Sequence, residues 1–376
     1  MSRKGILFAL AFGLVAGAFA DGKTIERDEA IGTALGYLKM EEGDLYLLPD
    51  TAEEDPFRLS IVDSLLADPL RSVDYVDSLA LSLKGESTLR RKLELMASQL
   101  DIGPKPPPEV EGKTDTGISE ELDGIIDKLK ERAIKARYLL AEAFAYLSEE
   151  EVNYLRTESP LILKEDVRDR DKGIFELEEE RRENSRRAER VFELIEGIKR
   201  EKIIEAGIVV LDGIEGIVEK LKTMEFQSIV GKQIDPEIAS GDIWYYERSP
   251  IGDVIVGGTG QTVYRGNFAV IIDFGGDDQY LGNAGGNLEG ELPVAICIDL
   301  GGNDLYLPSR DGAVGAGSLG VGVLIDRGGD DIYRAKSRGL GSGWIGVGFL
   351  VDMKGDDKYL GDTFVQGAGF IGAGFL

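Results

Sequence analysis

Four copies of Asp-x-Gly-Gly-Asp-Asp-x-Tyr, where x is variable, hold the residues of this chain whose types and spacing could do chemistry. They supply Asp273, Asp277 and Asp278; Asp299, Asn303 and Asp304; Asp326, Asp330 and Asp331; and Asp352, Asp356 and Asp357. The copies end at Tyr280, Tyr306, Tyr333 and Tyr359, and they differ chiefly at Asn303 and at Lys354, which stands in place of a glycine. The leading aspartates lie 26, 27 and 26 residues apart. Eleven carboxylates and one amide offer only oxygen, the donor set of a hard cation such as Ca2+.

If equivalent positions stack one strand apart, about 4.8 Å, each like-charge pair costs about 3.5 kcal/mol at an effective dielectric near 20, and under about 1 kcal/mol in water. Three such steps approach the roughly 5–15 kcal/mol by which a folded domain is stable. The aspartates therefore either reach into water or hold a cation between them. The competing use of Asp277, Asp278, Asp304, Asp330, Asp331, Asp356 and Asp357 is the Asx-turn, in which the side chain bonds backbone N–H groups without metal. Two adjacent acids per turn exceed what a turn requires, which tips the reading toward Ca2+ at all twelve positions. The tyrosines are expected to form a stacked column for stability, with sugar binding on that face as a weaker use.

Composition narrows the chemistry further. There is no histidine and one cysteine in 376 residues, which removes Ser-His-Asp and Cys-His catalysis, His-ligated zinc or iron, disulfides and Cys-ligated clusters. With 43 Lys and Arg against 69 Asp and Glu, the net charge of −26 disfavours nucleic acid and anionic membranes as partners. Residues 250–376 hold only 16 acidic and 8 basic residues, so periodic placement, not bulk acidity, carries the cation reading.

The elements that must position these residues follow from the same period. Apolar runs Val270-Ile-Ile, Ile296-Cys-Ile, Val323-Leu-Ile and Phe349-Leu-Val precede the motifs, and a β-branched run ending at Asp-x-Gly-Gly reads as a strand entering a tight turn. Gly315, Gly317, Gly320 and Gly322 recur as Gly341, Gly343, Gly346 and Gly348, and again as Gly367, Gly369, Gly372 and Gly374. Glycine at alternate strand positions lets another backbone approach closely. A repeat near 26 residues is too short for a propeller blade and fits a β-solenoid, parallel β-helix-like. Residues 254–264 read as a degenerate opening coil after Trp244-Tyr245-Tyr246, aromatics expected to pack the solenoid against the preceding helices. Gly367–Leu376 opens another coil, whose leading aspartate would fall two positions beyond the last residue; further coils are expected there.

The fold class is therefore α+β and multidomain, an N-terminal α-helical region followed by a C-terminal β-solenoid. Residues 1–20 carry Arg3 and Lys4, an apolar run and Ala18-Phe19-Ala20, the pattern of a signal peptide cleaved before Asp21. Helical spacing is expected over 21–103 and 119–228, separated by the Pro-rich linker 104–118, with a transition at 229–250 and the solenoid over 251–376. Ile125, Ile126, Leu129, Ala133 and Ala136 mark one apolar stripe, and the charge-dense run 165–202 reads as a solvated helix with opposite charges paired along it.

The turns Gly275-Gly-Asp-Asp, Gly301-Gly-Asn-Asp and Gly328-Gly-Asp-Asp resemble the Gly/Asp-rich turns of secreted RTX-type β-rolls, and are similar to Gly-Gly-Asp-Asp-x-Tyr repeats of exported bacterial proteins. That resemblance implies Ca2+ binding and export to the periplasm, cell surface or medium; it covers about a third of the chain. RTX turns recur every nine residues, whereas these come once in about 26. The functional expectation is a non-enzymatic exported scaffold contacting a cell-surface or matrix protein or polysaccharide, with no membrane span in the mature chain. The alternative is a β-helix polysaccharide lyase or hydrolase pairing carboxylates or Ca2+ with a base such as Arg327, Arg334 or Arg338. A third reading is a calcium-buffering or mineral-binding surface. Catalysis needs one coil to carry groups the others lack, and four near-identical motifs favour the scaffold.

Overall fold

A strand that buries both faces reads as a continuous apolar run, and the runs ahead of each motif do so. A computed structural model of the protein describes residues 27–41, 59–103, 119–163, 174–225 and 231–376. The expected signal peptide and the Pro-rich linker lie outside the described residues. Contacts divide the chain into a unit that ends at Ser82 and a unit that begins at Leu83.

The first unit holds α1 (Arg27–Leu38), α2 (Ser60–Ala67) and most of α3 (Arg71–Gly85). The second continues with α4 (Leu89–Gln99), α5 (Glu120–Ala143), α6 (Glu149–Glu158), α7 (Ile174–Glu196), α8 (Arg200–Leu211) and α9 (Ile214–Thr223). Side-chain caps start several of them: Thr88 and Ser119 accept backbone N–H bonds, and Ser148 with Glu151 forms a reciprocal capping box. The stripe Ile125, Ile126, Leu129, Ala133 and Ala136 is buried, as its spacing predicts. On α7, Arg190 pairs with Glu193 one turn on and with Glu151 of α6. No described helix is long and apolar enough to cross a membrane.

The β-structure is a parallel solenoid of about 26-residue coils with three ladders. The first ladder runs from β2 (Gly252–Tyr264) through β3 (Phe268–Asp273), β5 (Val294–Asp299), β8 (Val321–Asp326) and β11 (Val347–Asp352) to β14 (Ala373–Phe375). The second begins at the end of β2 and continues through β4 (Gln279–Tyr280), β6 (Leu305–Tyr306), β9 (Ile332–Ser337) and β12 (Lys358–Thr363). The third joins β7 (Gly317–Ser318), β10 (Gly343–Trp344) and β13 (Gly369–Phe370). Register is kept from coil to coil: Asp273 pairs with Asp299, Asp299 with Asp326 and Asp326 with Asp352.

Ile271, Cys297, Leu324 and Leu350 form an interior column of the coil core. Their neighbours Val270, Ile296, Val323 and Phe349 are also buried, on the opposite face of the ladder. Against this sheet lie α5, at β5, and α8, at β8 and β11. That sandwiching explains why α8 is buried from Ile203 to Leu211 and carries no clear polar face. Gly207 of α8 sits so close that a Cβ there would be 2.8 Å from a Leu93 methyl and 3.0 Å from Val347.

Coil corners use left-handed backbone at buried apolar residues, Val314, Leu319, Leu340 and Ile345 among them, with φ of 50–59°. Such a conformation costs about 1–2 kcal/mol per residue, offset here by burial of each side chain. The close packing predicted for the glycines is present: a Cβ on Gly317 would collide with the Val347 carbonyl of the next coil, and one on Gly343 with that of Ala373. Upstream, β1 (Ala239–Ser249) pairs antiparallel with β2, so β-structure starts before the expected Ile251. Its Trp244 stacks on Phe274 at 5.2 Å. Trp244 thus contacts the solenoid's own second coil, and Glu247 of β1 pairs with Lys130 of α5.

Candidate metal centre

The four motifs occupy the corner between the first and second ladders, where each strand ends at an aspartate and the next begins one residue before a tyrosine. The turn after each strand sends the two adjacent acids of the pair to opposite sides, and this sorts the twelve predicted ligands. The leading Asp273, Asp299 and Asp326 are fully buried, as are Asp278, Asp304 and Asp331. Asp277, Asn303, Asp330 and Asp356 point out and are exposed; Asp352 and Asp357, on the last complete motif, are half-buried.

The leading carboxylates make the Asx-turns. Oδ1 of Asp273, Asp299 and Asp326 accepts the N–H of the residue two further on, Gly275, Gly301 and Gly328, at 2.7–2.8 Å; Asp352 does the same with Lys354 at 3.2 Å. The Asx-turn therefore falls on the first aspartate of each motif and not on the Asp-Asp pair where the sequence placed it. The second acid of each pair reaches the neighbouring coil instead. Asp304 Oδ1 accepts from Asp278 N–H (2.7 Å), Asp331 Oδ1 from Asp304 N–H (2.6 Å) and Asp357 Oδ1 from Asp331 N–H (2.9 Å). Coil turns must approach closely for this, and a Cβ on Gly302 or Gly329 would strike the carbonyl of Gly276 or Gly302.

The tyrosine column is interior. Successive rings from Tyr264 to Tyr359 stack with centroids 4.5–4.9 Å apart and planes within 12°. Tyr280, Tyr306 and Tyr333 are fully buried, so the expected sugar-binding face is absent at these three. Sequence reasoning missed what the hydroxyls do. Tyr264 donates to Asp273 Oδ2, Tyr280 to Asp299 Oδ2 (2.5 Å), and Tyr306 to Asp326 Oδ2 (2.6 Å) with a longer contact to Asp299 Oδ2 (3.5 Å). Tyr333 also reaches Asp326 Oδ2 (2.9 Å), and Tyr359 donates to Asp352 Oδ2 (2.7 Å). The seven-residue offset from leading Asp to Tyr signals the contacts within a motif, at Tyr306, Tyr333 and Tyr359, whereas the bonds of Tyr280 and Tyr306 to the next coil's aspartate follow from stacking.

Seven inner carboxylates gather into three trios: Asp273, Asp278 and Asp299; Asp299, Asp304 and Asp326; Asp326, Asp331 and Asp352. In each trio three ligand oxygens lie within 4.8 Å of one another, a donor set able to hold a metal ion. Among the described residues no Lys or Arg side chain forms an ion pair with them; Arg327 pairs with Glu219 and Arg338 with Asp311, while Arg334 is exposed on β9. Oδ2 of Asp278 and of Asp304 is buried with no hydrogen-bond partner.

Without a counter-charge, burial dominates the electrostatics. Desolvation, reinforced by neighbouring carboxylates, pushes Asp299 up to about 8, Asp304 to about 11, Asp331 to about 7 and Asp278 to about 6. Asp273 and Asp326 move the same way for the same reason. The stacked phenols, raised by burial, stay protonated donors. Sealed under the rings, the inner carboxylates have no open approach for a polymer; a cleft of about 140 Å³ between Leu89, Val218 and Val351 lies elsewhere.

Compared with family models, curated proteins and solved structures, the chain matches none.

Proposed function

We propose that the protein is an exported, non-enzymatic repeat scaffold that contacts a cell-surface or matrix partner, protein or polysaccharide, and that Ca2+ at the inner aspartates holds its coils together. One observation carries this reading: in successive coils a tyrosine hydroxyl bonds a leading aspartate, buried except at Tyr359 and Asp352, and none of these contacts brings in a group that the others lack. Repetition of that kind serves stacking stability, whereas catalysis needs a unique rung open to substrate. The preference for Ca2+ rests on oxygen-only donors, three carboxylates per cluster and no nitrogen or sulfur ligand. Export rests on the basic start, short apolar run and small-residue cleavage pattern of residues 1–20. The polysaccharide lyase or hydrolase reading is disfavoured by the burial of Asp278, Asp304 and Asp331, one acid of each motif, and by the other engagements of the candidate bases: Arg327 pairs with Glu219, Arg338 pairs with Asp311 and Arg334 is exposed.

Incubation of the protein with acidic and neutral polysaccharides, scoring both retention and released reducing ends or unsaturated sugars, tests the division. Retention without release supports a scaffold; release replaces it with the enzyme. Thermal unfolding with Ca2+ and with chelator tests the cation, and equal midpoints would remove Ca2+ from the reading.

A further inference from the structure

We infer that the inner carboxylates hold a file of three divalent cations, one for each trio, spaced along the solenoid axis and bridged by Asp299 and Asp326. This rests on the Ca2+ reading above and specifies its number, position and ligands. Each trio combines the leading aspartate and the second paired aspartate of one coil with the leading aspartate of the next. The seven carboxylates carry seven negative charges when ionised, and three divalent cations cancel six of them. The one left over falls at Asp352, the half-buried last member of the three described trios.

Two unbonded oxygens point to a ligand. Asp278 and Asp304 are 1% and 0% exposed, and the Oδ1 of each is committed to a backbone N–H of the neighbouring coil. Their Oδ2 atoms have no partner, an arrangement that costs about 1–3 kcal/mol for a polar group and more for a charged one. Three oxygens within 4.8 Å of one another leave a point at most about 2.8 Å from all three, a spacing that a cation with Ca2+–O bonds of roughly 2.3–2.6 Å can close with small side-chain shifts. The Tyr306 hydroxyl, between Asp299 and Asp326, and the Tyr333 hydroxyl, between Asp326 and Asp331, place neutral oxygens beside the second and third trios.

The file has a defined start. In the opening coil Gly257 and Thr262 stand where later coils have the leading and second aspartates, and Thr262 offers its N–H to Asp278 in the place of an aspartate's. The outer column is not part of the file: Asp277, Asn303, Asp330 and Asp356 are exposed and linked to one another through backbone N–H groups.

The test is a metal count on the full chain after Ca2+ loading and gel filtration, with Tb3+ luminescence excited through tyrosine as an independent probe of ions beside the phenol column. Three ions per chain are expected, two in Asp304→Asn and three in Asp356→Asn, with Tb3+ emission falling only in the first variant. Asp331→Asn, which removes a ligand of the third trio, gives the same count of two should Asp304→Asn not fold. A count other than three, an unchanged count in both inner variants, or a loss in Asp356→Asn overturns the file while Ca2+ binding itself stands. No retained ion and no sensitised emission overturns the file and the Ca2+ reading together.

Discussion

Asp277 and Asp278 are neighbours in the chain, as are Asp330 and Asp331, yet in each pair one carboxylate is in solvent and the other is buried beside a tyrosine column. The outer column of Asp277, Asn303, Asp330 and Asp356 is linked by backbone N–H bonds of 2.9–3.0 Å and tolerates an amide in place of an acid. The inner column has no such substitution in the three described trios. Identical residue types thus do different work according to which side of the coil corner they face. Water screens the outer charges, while the inner ones must be neutralised by a proton, a hydroxyl donor or a cation.

Removing the cation should separate the two columns most. At a free Ca2+ concentration of 100 times Kd each site stabilises the fold by about 2.7 kcal/mol, so three sites contribute about 8 kcal/mol. Calorimetry with excess chelator is expected to show a midpoint lower by tens of degrees in the solenoid transition, and a chelator-insensitive midpoint would erase the distinction between the columns. Next in size is the tyrosine stack. Tyr306→Ala opens a cavity in the column and should cost about 3–5 kcal/mol, whereas Tyr306→Phe keeps the stacking but withdraws the donor from Asp326 and Asp299, at about 1–3 kcal/mol. Denaturant melts of the two variants distinguish packing from hydrogen bonding.

The pH dependence of the chelated protein tests the inner column without metal. Asp278, Asp331 and Asp299 titrate near 6, 7 and 8 when folded against about 3.9 when unfolded. With the folded values raised, the folded state binds more protons. Stability is therefore fullest below about pH 4 as far as these groups are concerned, and is lost as pH rises through 6 to 8. A fall of a few kcal/mol between pH 5 and pH 8.5 is expected in chelator, largely restored by Ca2+. A chelated protein whose stability increased over that range would contradict the burial of these charges. The smallest effect belongs outside: Asp330→Ala should change stability by less than about 0.5–1 kcal/mol in the same melts, and a larger loss would mean that the outer ladder shares the inner one's role.

Much of the solenoid was legible because its signals are periodic. The leading aspartates, the apolar run before them and the alternating glycines each repeat once per coil, and parallel register then pairs Asp299 with Asp326 as the spacing implies. The tyrosine column could be read for the same reason, though not its burial. What the sequence could not assign was direction, since Asp-x-Gly-Gly-Asp-Asp contains turn residues whose side chains follow no simple alternation. Hence the Asx-turn moved from Asp278 and Asp304 to Asp273 and Asp299. The antiparallel β1 was also hidden, because Trp244-Tyr245-Tyr246 lies outside the repeat and its pairing with β2 is a single long-range event.

By itself the amino-acid sequence determined the period, the coil architecture, the oxygen-only chemistry and the absence of histidine-based catalysis. All of these depend on residue identity and spacing. Only the tertiary structure decided which carboxylates become buried, that Tyr306 bridges the aspartates of two coils, and that α5 and α8 cover the outer face of the first ladder. Those outcomes depend on close approach between segments distant in the chain, where sterics at glycine and the cost of burying charge select one packing among many that the same pattern would allow.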